Sequence, residues 1–563
     1  MNPVVDPPNR TVVSRRNGAL ALRILAVLLF AAFWFGNLEF RDLADPDEGR
    51  YAEIPREMAA SGDWITPRLN DLKYFEKPPL QYWITAALYR AFGVDEWVAR
   101  LGPALAGLAG ALLVFAAGAR LYDRRTGTVA AVMLLGTMAY VLFAHIVTLD
   151  MSVTLFLSAT ILGFAVAQRD GASPSERRWW MLFAWAAAAG AVLTKGLIGL
   201  VLPGAAVGAY ILVHRDWRIL MKFEPVRGSL LFLALCAPWF VAVSLRNPEF
   251  ARFFFWHEHV ERFLLPGHGR PGQWWYFVPV LAIGVLPWLG LLVWAAPRWW
   301  RADATARFKP TRLLMLWAAI VFLFFSASSS KLPAYILPMF PALALLGASQ
   351  VDRVPLRTLA GLLAVLAPAV AAVAFLAPVL STHVHTEGFA DYLGAFVPWF
   401  ELGLGVLAVA LLAAASVALR GRRSAAIAVA AVGGLAAVTV AMTGYEILSP
   451  TYSTEQSFHK VADAMSSAAP DVPFFSVGMY DHSLTFELER PVILVAYRGE
   501  LDLGLRVEPW KGVPTLEAFR DLWREAPDAF AMMRPSLYAE LEGEGLPMRM
   551  LTQDPRHVLV RRR

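Results

Sequence analysis

Long apolar runs recur along the chain, and short polar segments separate each run from the next. About 20 apolar residues in an α-helix cross a hydrocarbon layer of roughly 30 Å, and these runs have about that length. The pattern therefore predicts about 13 membrane-spanning helices. We place them at about residues 18–37, 98–119, 127–146, 151–167, 179–194, 197–213, 229–245, 276–296, 313–327, 333–349, 358–380, 401–419 and 425–444.

Residues 78–93 are also apolar, but they do not fit the pattern of a span. The stretch is short, opens with Pro78 and Pro79, and contains Gln81 and Arg90. We therefore predict an amphipathic helix that lies in the membrane interface. The first loop outside the membrane, at about residues 38–97, is then long and ordered.

After residue 444 the long apolar runs give way to short ones. The strings PFFSVG, PVILVAY, AFAMM, PMRML and HVLVRR alternate with amphipathic stretches such as 455–468 and 515–525. This alternation predicts a small α/β domain at residues 445–563, after a membrane domain at residues 1–444. The segment contains no glycine-rich phosphate loop and no nucleophile–base motif, so we expect it to act as a lid or brace.

Basic residues are distributed unequally between the two sides of the predicted spans. They concentrate in alternate loops, around residues 120–125, 169–178, 215–227, 298–312, 353–357 and 420–423. Cytoplasmic loops carry such an excess of arginine and lysine. We therefore predict a multi-pass protein of a bacterial inner membrane. Its N-terminus is expected in the cytoplasm, and residues 445–563 and the active site are expected in the periplasm.

The composition agrees with a bilayer as the solvent. Hydrophobic residues make up 57% of the 563 residues. Charged residues make up 17%, below the roughly 25% of soluble domains. Membrane orientation explains the net charge of +6, so no nucleic-acid partner is expected. The single cysteine, Cys236, excludes an intrachain disulfide.

The first outside loop begins with a dense group of charged residues. The string Asp45-Pro-Asp47-Glu48-Gly-Arg50-Tyr51 follows directly after the first span. Carboxylates near a membrane are costly, which favours a functional role. The structural alternative is that Asp47 caps a helix that begins near Glu48.

Three further outside positions hold isolated charges. Lys77 follows Glu76 and precedes two prolines, which restrict its backbone and favour a cation placed for phosphate. A lysine that merely extends to water is the alternative. Asp150 is the only charge between two apolar runs, so we expect it to be functional. Lys331 lies close to a proline at another outside turn, and Tyr335 follows four residues later.

The loop 246–275 contains histidines and acids, and a metal is one interpretation. Its spacing differs from His-Glu-x-x-His, and on a helix the rings of His257 and His259 point about 200° apart. We predict no required cofactor. If a divalent metal such as zinc binds, His257 with Glu76 is the preferred pair. Arg262 in the same loop suits a lipid phosphate.

Several strings resemble a known family. An acidic pair after the first span, a helix opened by Lys-Pro-Pro and a later Leu-Asp resemble type C glycosyltransferases, the protein O-mannosyltransferase superfamily. The strings DPDEGRYAEIPREM, GDWITPRLNDLKYFEKPPLQYW, RFLLPGHGRPGQWWYF and SSSKLPAYILP are similar to lipid A aminoarabinose transferases. The resemblance covers nearly the whole chain.

The resemblance implies both a fold and a reaction. The fold is a polytopic α-helical membrane protein with a C-terminal periplasmic α/β domain. The reaction moves 4-amino-4-deoxy-L-arabinose from undecaprenyl phosphate to lipid A phosphate, which gives resistance to polymyxin, and we expect a monomer. By position, Asp47 and Asp150 match the family's catalytic acids. Candidate substrate-binding residues are Lys77, Arg262, Glu76, Tyr335, Lys331, Glu48, Tyr51 and Arg50.

Two other functions fit the same sequence less well. One is a related transferase that uses another polyprenyl-linked sugar on lipid A or on protein Ser/Thr. The other is a transporter or lipid flippase. Transporters place charges near the bilayer midplane and often contain inverted repeats. Here the charges cluster at one face and we find no internal repeat.

Overall fold

The computed structural model describes residues 25, 27–39, 41–261, 272–302, 305–381, 389–452, 461, 465, 472–497 and 499–562. Arg262 lies outside these residues, as does most of the predicted helix 455–468. Helices predominate among the described residues up to Tyr452, and a mixed sheet with short helices follows.

The predicted polytopic fold is confirmed. Among the described residues, eight helices are long and apolar enough to cross a membrane, or ten if two bent pairs each count as one span. The unbent helices at predicted spans are Glu96–Leu121, Asp150–Gln168, Pro174–Lys195, Ile198–His214, Pro225–Arg246, Pro310–Ala327, Phe340–Val351 after the 3-10 turn Pro333–Met339, Leu356–Ser381, Phe389–Leu419 and Arg423–Tyr452.

Two predicted spans are bent rather than continuous. The pairs are Arg124–Leu135 with Met138–Ala144, bent by 66°, and Phe277–Gly284 with Leu289–Ala302, bent by 108°. Pro287 lies in the second break, where it cannot donate a helical hydrogen bond. The two breaks are in contact with each other. The Met138 amide donates a hydrogen bond to the Leu286 carbonyl over 3.1 Å. Apolarity alone could not predict these bends.

The first loop is an ordered layer. It contains the helix Asp47–Ser61, the hairpin of β1 (Arg68–Leu69) and β2 (Leu72–Lys73), and the helix Leu80–Phe92. At 1.5 Å per residue, the 13-residue Leu80 helix is about 20 Å long and falls short of a bilayer core. The prediction of a short helix at 78–93, in place of a span, is confirmed.

The predicted C-terminal α/β domain is also confirmed. Its sheet has the order β5-β4-β3-β6-β8-β7, in which β5, β4, β3 and β6 are parallel and the last two pairs are antiparallel. The strands are β3 (Phe474–Val477), β4 (Ile493–Val495), β5 (Gly512–Val513), β6 (Phe530–Met533), β7 (Met548–Gln553) and β8 (Val558–Arg562). The helices are His482–Leu488, Asp502–Val507, Leu516–Glu525 and Pro535–Gly543.

Five of the six strands occupy the five predicted apolar strings, whereas the two-residue β5 was not predicted. β3 and β6 are buried at every position, which explains why both segments are continuous apolar runs. The predicted boundary between residues 444 and 445 stays a prediction.

The C-terminal domain packs tightly on the first loop. Asn70 donates its side-chain amide to the Val492 carbonyl over 2.9 Å and accepts from the Val492 amide over 2.7 Å. A Cβ at Gly49 would come within 2.6 Å of the Ser483 nitrogen, so only glycine permits this approach. The two units are therefore in close contact at these residues.

Replacement of Asn70 is expected to loosen this contact. Asn70 is buried and has a φ of 56°, a conformation that glycine adopts freely and alanine does not. Asn70→Gly should lower the free energy of unfolding by about 2–4 kcal/mol, since two buried hydrogen-bonding groups lose their partner. Asn70→Ala should lower it by roughly 1 kcal/mol more. Thermal unfolding in detergent measures both, and a wild-type Tm for Asn70→Gly would contradict the role of these bonds.

Candidate active site

A cavity of about 220 Å³ lies where the first loop, the membrane helices and the C-terminal domain meet. Seven of the residues predicted for the site line it, from four separate parts of the chain. They are Asp47, Arg50, Tyr51, Glu76, Lys77, Asp150 and Tyr335. The cavity wall also includes Lys195, Glu500, Thr148 and Ser330. Four carboxylates and three cations therefore share one small space.

Asp47 and Glu48 follow each other on one helix but face different surroundings. Successive helical positions point about 100° apart, so one side chain reaches the cavity while the other turns inward. The Asp47 side chain is 34% exposed and that of Glu48 is 1% exposed. The Asp47 carboxylate accepts from Arg50 Nη1 over 3.0 Å. The helix begins at Asp47 after Pro46 and has no side-chain cap, so the capping alternative does not hold.

Glu48 lies behind the cavity in a buried ion network. Its carboxylate accepts from Arg41, from the Ala44 amide over 3.0 Å and from the Val147 amide over 2.8 Å. Burial alone would raise its pKa, but the charges of Arg41 and Arg100 lower the pKa to about 2. The geometry assigns Glu48 a supporting position, and a substrate-binding role for it stays a prediction.

Lys77 is held at the cavity by two different acceptors. Its Nζ donates to the Glu76 carbonyl over 2.9 Å and to Glu258 Oε2 over 3.2 Å. Glu258 comes from the π-helix Arg252–Glu261, so the loop 246–275 reaches the site through this carboxylate. The amine is therefore placed and does not simply extend to water.

Asp150 forms an ion pair with Lys195 inside the cavity. Lys195 ends the helix Pro174–Lys195, and its Nζ lies 4.9 Å from the centre of the Tyr335 ring. Sequence reasoning did not select Lys195 as a candidate. An available signal was overlooked, because Lys195 is an isolated charge at the end of an apolar run, the same criterion that selected Asp150.

Glu500 is the second residue that sequence reasoning missed. It comes from the C-terminal domain, and its Oε2 lies 2.7 Å from Arg50 Nη2. No local motif surrounds Glu500, so only the fold could bring it to the first loop. The domain thus supplies part of the cavity wall in addition to bracing it.

Lys331 lies outside the cavity lining. Its Nζ donates to the carbonyls of Phe325, Ser326 and Ser328 over 3.3, 2.9 and 2.7 Å, and so closes the turn between two membrane segments. A substrate-binding role for Lys331 stays a prediction. Tyr335, four residues later, does reach the cavity.

The metal interpretation finds little support in the geometry. His257 Nδ1 lies 2.7 Å from Glu261 Oε2, within the same helix. Glu76 lines the cavity with Lys77. Across the described part of the chain, no group of three or more His, Cys, Asp or Glu residues is arranged to hold a metal ion.

The fold and the cavity are those of a polytopic membrane protein with a charged site against a C-terminal α/β domain. Residues 76–241 match the family model of dolichyl-phosphate-mannose-protein mannosyltransferase. Residues 461–562 match the model of the aminoarabinose transferase C-terminal domain.

A solved structure extends this likeness to nearly the whole chain. The crystal structure of ArnT from Cupriavidus metallidurans bound to undecaprenyl phosphate is 37% identical, with a TM-score of 0.90 over 96% of this chain and 98% of that one. The apo crystal structure from the same organism has a TM-score of 0.88 over 97% and 98%. The chain therefore belongs to the aminoarabinose transferase (ArnT) family.

Curated relatives share a shorter aligned region. The undecaprenyl phosphate-alpha-4-amino-4-deoxy-L-arabinose arabinosyl transferase of Aeromonas hydrophila is 36% identical over 324 residues, 57% of this chain. The protein of the same name from Edwardsiella ictaluri is 37% identical over 328 residues, 58% of this chain. The matched region spans 58% of the length of each of these relatives.

Replacement of Glu48 tests its supporting position. Glu48→Gln leaves Arg41 and Arg100 facing a neutral amide, and breaking a buried ion pair costs about 3–5 kcal/mol. The Tm in detergent should therefore fall strongly. Glu544→Gln is the matched control, because Glu544 forms an exposed pair with Arg520 and its replacement should change the Tm far less. Equal, small shifts in both variants would contradict the supporting position.

Proposed function

We propose that this protein transfers 4-amino-4-deoxy-L-arabinose from undecaprenyl phosphate to phosphate groups of lipid A. The observation that carries the proposal is the cavity, in which separated parts of the chain bring carboxylates and cations together. Its support is the 37% identity to a structure that holds undecaprenyl phosphate. The product would be a less anionic lipid A, and hence resistance to polymyxin and other cationic peptides.

The charges of the proposed donor and acceptor fit the cavity. An amino sugar carries an ammonium group, which suits a carboxylate such as Asp47 or Glu76. The donor and acceptor phosphates suit the cations, since Arg50 can form a fork and Lys77 supplies a point charge. Arg262, outside the described residues, is proposed as a further phosphate ligand. The rings of Tyr51 and Tyr335 offer the sugar an apolar surface.

The proposed step is a direct displacement at the sugar. An acceptor phosphate oxygen bonds to the anomeric carbon while the bond to undecaprenyl phosphate breaks, and the leaving phosphate keeps the electron pair. The acceptor phosphate is already anionic near pH 7, so no side chain must deprotonate it. We assign Asp47 to stabilise the positive charge that develops on the sugar, and Lys77 and Arg50 to offset charge on the leaving phosphate.

Asp150 is the second proposed catalytic carboxylate. Its ion pair with Lys195 fixes that amine in the cavity, close to Tyr335. Two phosphates must approach each other in this reaction, and a third fixed cation would reduce their repulsion. We therefore propose that Asp150 and Lys195 act as one unit in the transfer.

The proposed location is the inner membrane of a bacterium. The excess of arginine and lysine in alternate loops supports a cytoplasmic N-terminus. The first loop, the cavity and the domain at residues 445–563 are then periplasmic. This side suits the proposed reaction, because the donor and the acceptor are both membrane lipids that a periplasmic site would meet.

Lipid A analysis tests the function directly. Expression in a bacterial strain that makes the donor but lacks its own transferase should add pentosamine to lipid A, visible by mass spectrometry, and should raise polymyxin resistance. An empty vector is the control. Addition of another sugar, or labelling of protein Ser/Thr, would replace the proposal by a related transferase. Absence of transfer by purified protein in detergent would contradict a transferase.

Substitutions in the cavity test the site. Asp47→Asn and Lys77→Ala should each lower the transfer rate by about 100-fold or more, since each removes a charge that stabilises the transition state. Transfer by purified, folded variants is the measurement. Asp352→Asn is the acid control, because Asp352 is exposed and pairs only with surface arginines among the described contacts. Full activity in both cavity variants would contradict the assignment.

A further inference from the structure

His482 lies between two carboxylates at the junction of the C-terminal domain and the first loop. Its backbone amide donates to Asp45 Oδ1 over 2.8 Å, and its Nδ1 lies 3.3 Å from the same oxygen. Its Nε2 contacts Glu500 Oε1. A neutral imidazole has one donor and one acceptor nitrogen, whereas both nitrogens here face an anion. The geometry therefore favours the imidazolium, with two donors.

Glu500 connects His482 to the cavity. Its Oε2 lies 2.7 Å from Arg50 Nη2, and its Oε1 accepts from Arg50 Nε over 3.2 Å. Arg50 in turn donates to Asp47 over 3.0 Å. A continuous series of alternating charges thus runs from Asp45, behind the cavity, to Asp47, inside it.

We propose that His482 is a positioning residue for the active site: its imidazolium holds Glu500 against Arg50 and so fixes the direction of Arg50 and Asp47. The inference rests on the proposed function and extends it to the C-terminal domain. His482 itself is not part of the cavity lining. Its side chain is 8% exposed, so bulk water has little access to the imidazole.

The surroundings of His482 keep it charged. Burial alone would lower its pKa, but Asp45 and Glu500 raise the pKa to about 9. Burial alone would also raise the pKa of Asp45, but the contact with His482 lowers that pKa to about 2. Asp481 hydrogen-bonds to Asp45, and its pKa is well above the ordinary value because of burial and the Asp45 charge. The groups that face His482 are thus Asp45, Glu500, the neighbouring Asp481 and the Tyr480 ring, with Arg50 beyond Glu500.

This protonation predicts a direction for the pH dependence. His482 is charged below about pH 9 and neutral above it, so transfer by the wild type should fall as pH rises through about 9. In His482→Gln the side chain is neutral at every pH. This variant should transfer about 10- to 100-fold more slowly near pH 7, the loss of one hydrogen bond between charged groups. Its transfer rate should also lack the part of the fall near pH 9 that deprotonation of His482 causes in the wild type.

His214→Gln is the histidine control. His214 ends the helix Ile198–His214, its ring packs on Tyr210 and Trp300, and it is not part of the cavity lining. It should keep the wild-type rate and pH profile. Titration of the substrate amine affects all variants alike and cancels in the comparison.

Coupling to Glu500 separates positioning from a general effect on folding. If His482 acts through Glu500, the double variant His482→Gln, Glu500→Gln should be no slower than Glu500→Gln alone, within about twofold. Independent, multiplying losses would overturn the proposal. Asp45→Asn keeps His482 but removes one of its anions, so the alkaline fall should move to lower pH. An unchanged fall in folded Asp45→Asn would also overturn it.

The outcomes distinguish this inference from the proposed function. A wild-type protein that transfers no pentosamine refutes the function itself. An active wild type together with a His482→Gln variant of equal rate and equal pH profile refutes only the positioning role. Tm values of all variants show whether each is folded, and Asp45→Asn provides the test if His482→Gln is not.

Discussion

Pairing of buried charges is the constraint on which this molecule depends. A charge that is removed from water costs several kcal/mol unless an opposite charge and hydrogen bonds compensate it. Glu48 meets Arg41 and Arg100 behind the cavity, whereas Asp150 meets Lys195 within it. The first network holds the first loop in place. The second keeps a carboxylate and an amine beside each other where lipid-linked phosphates are proposed to bind.

The sequence predicted the elements of this fold better than their geometry. Membrane spans and strands differ in the length of their apolar runs, so short runs such as PFFSVG and AFAMM were recognisable as β3 and β6. The bends near Gly136 and Pro287 were not, because apolar residues continue on both sides of each break. At Gly136 the reason is a close contact, since a Cβ there would lie 2.3 Å from Ala431 Cα. That neighbour is far away in the sequence.

The site residues also divide into those that the local sequence could predict and those that it could not. Asp47 and Asp150 were found because each is a costly charge beside an apolar run, and Lys77 was found because two prolines follow it. Both signals are local. Glu500 lies in an ordinary polar loop, and its importance arises only from contact with Arg50. Glu48 belongs to the same dense acidic string as Asp47, yet the helix turns it away from the cavity, and no sequence pattern distinguishes the two.

The contact between the two bent helix pairs has a consequence for biogenesis. The Met138 amide finds its acceptor, the Leu286 carbonyl, in a segment that the ribosome makes much later. Until that segment enters the bilayer, this amide must rely on another partner, since lipid offers none. The hydrogen bond of the Met138 amide is therefore completed only after residues 277–302 have been made. Assembly of the membrane domain therefore includes a contact between a late segment and an early helix, and not only the addition of helices in chain order.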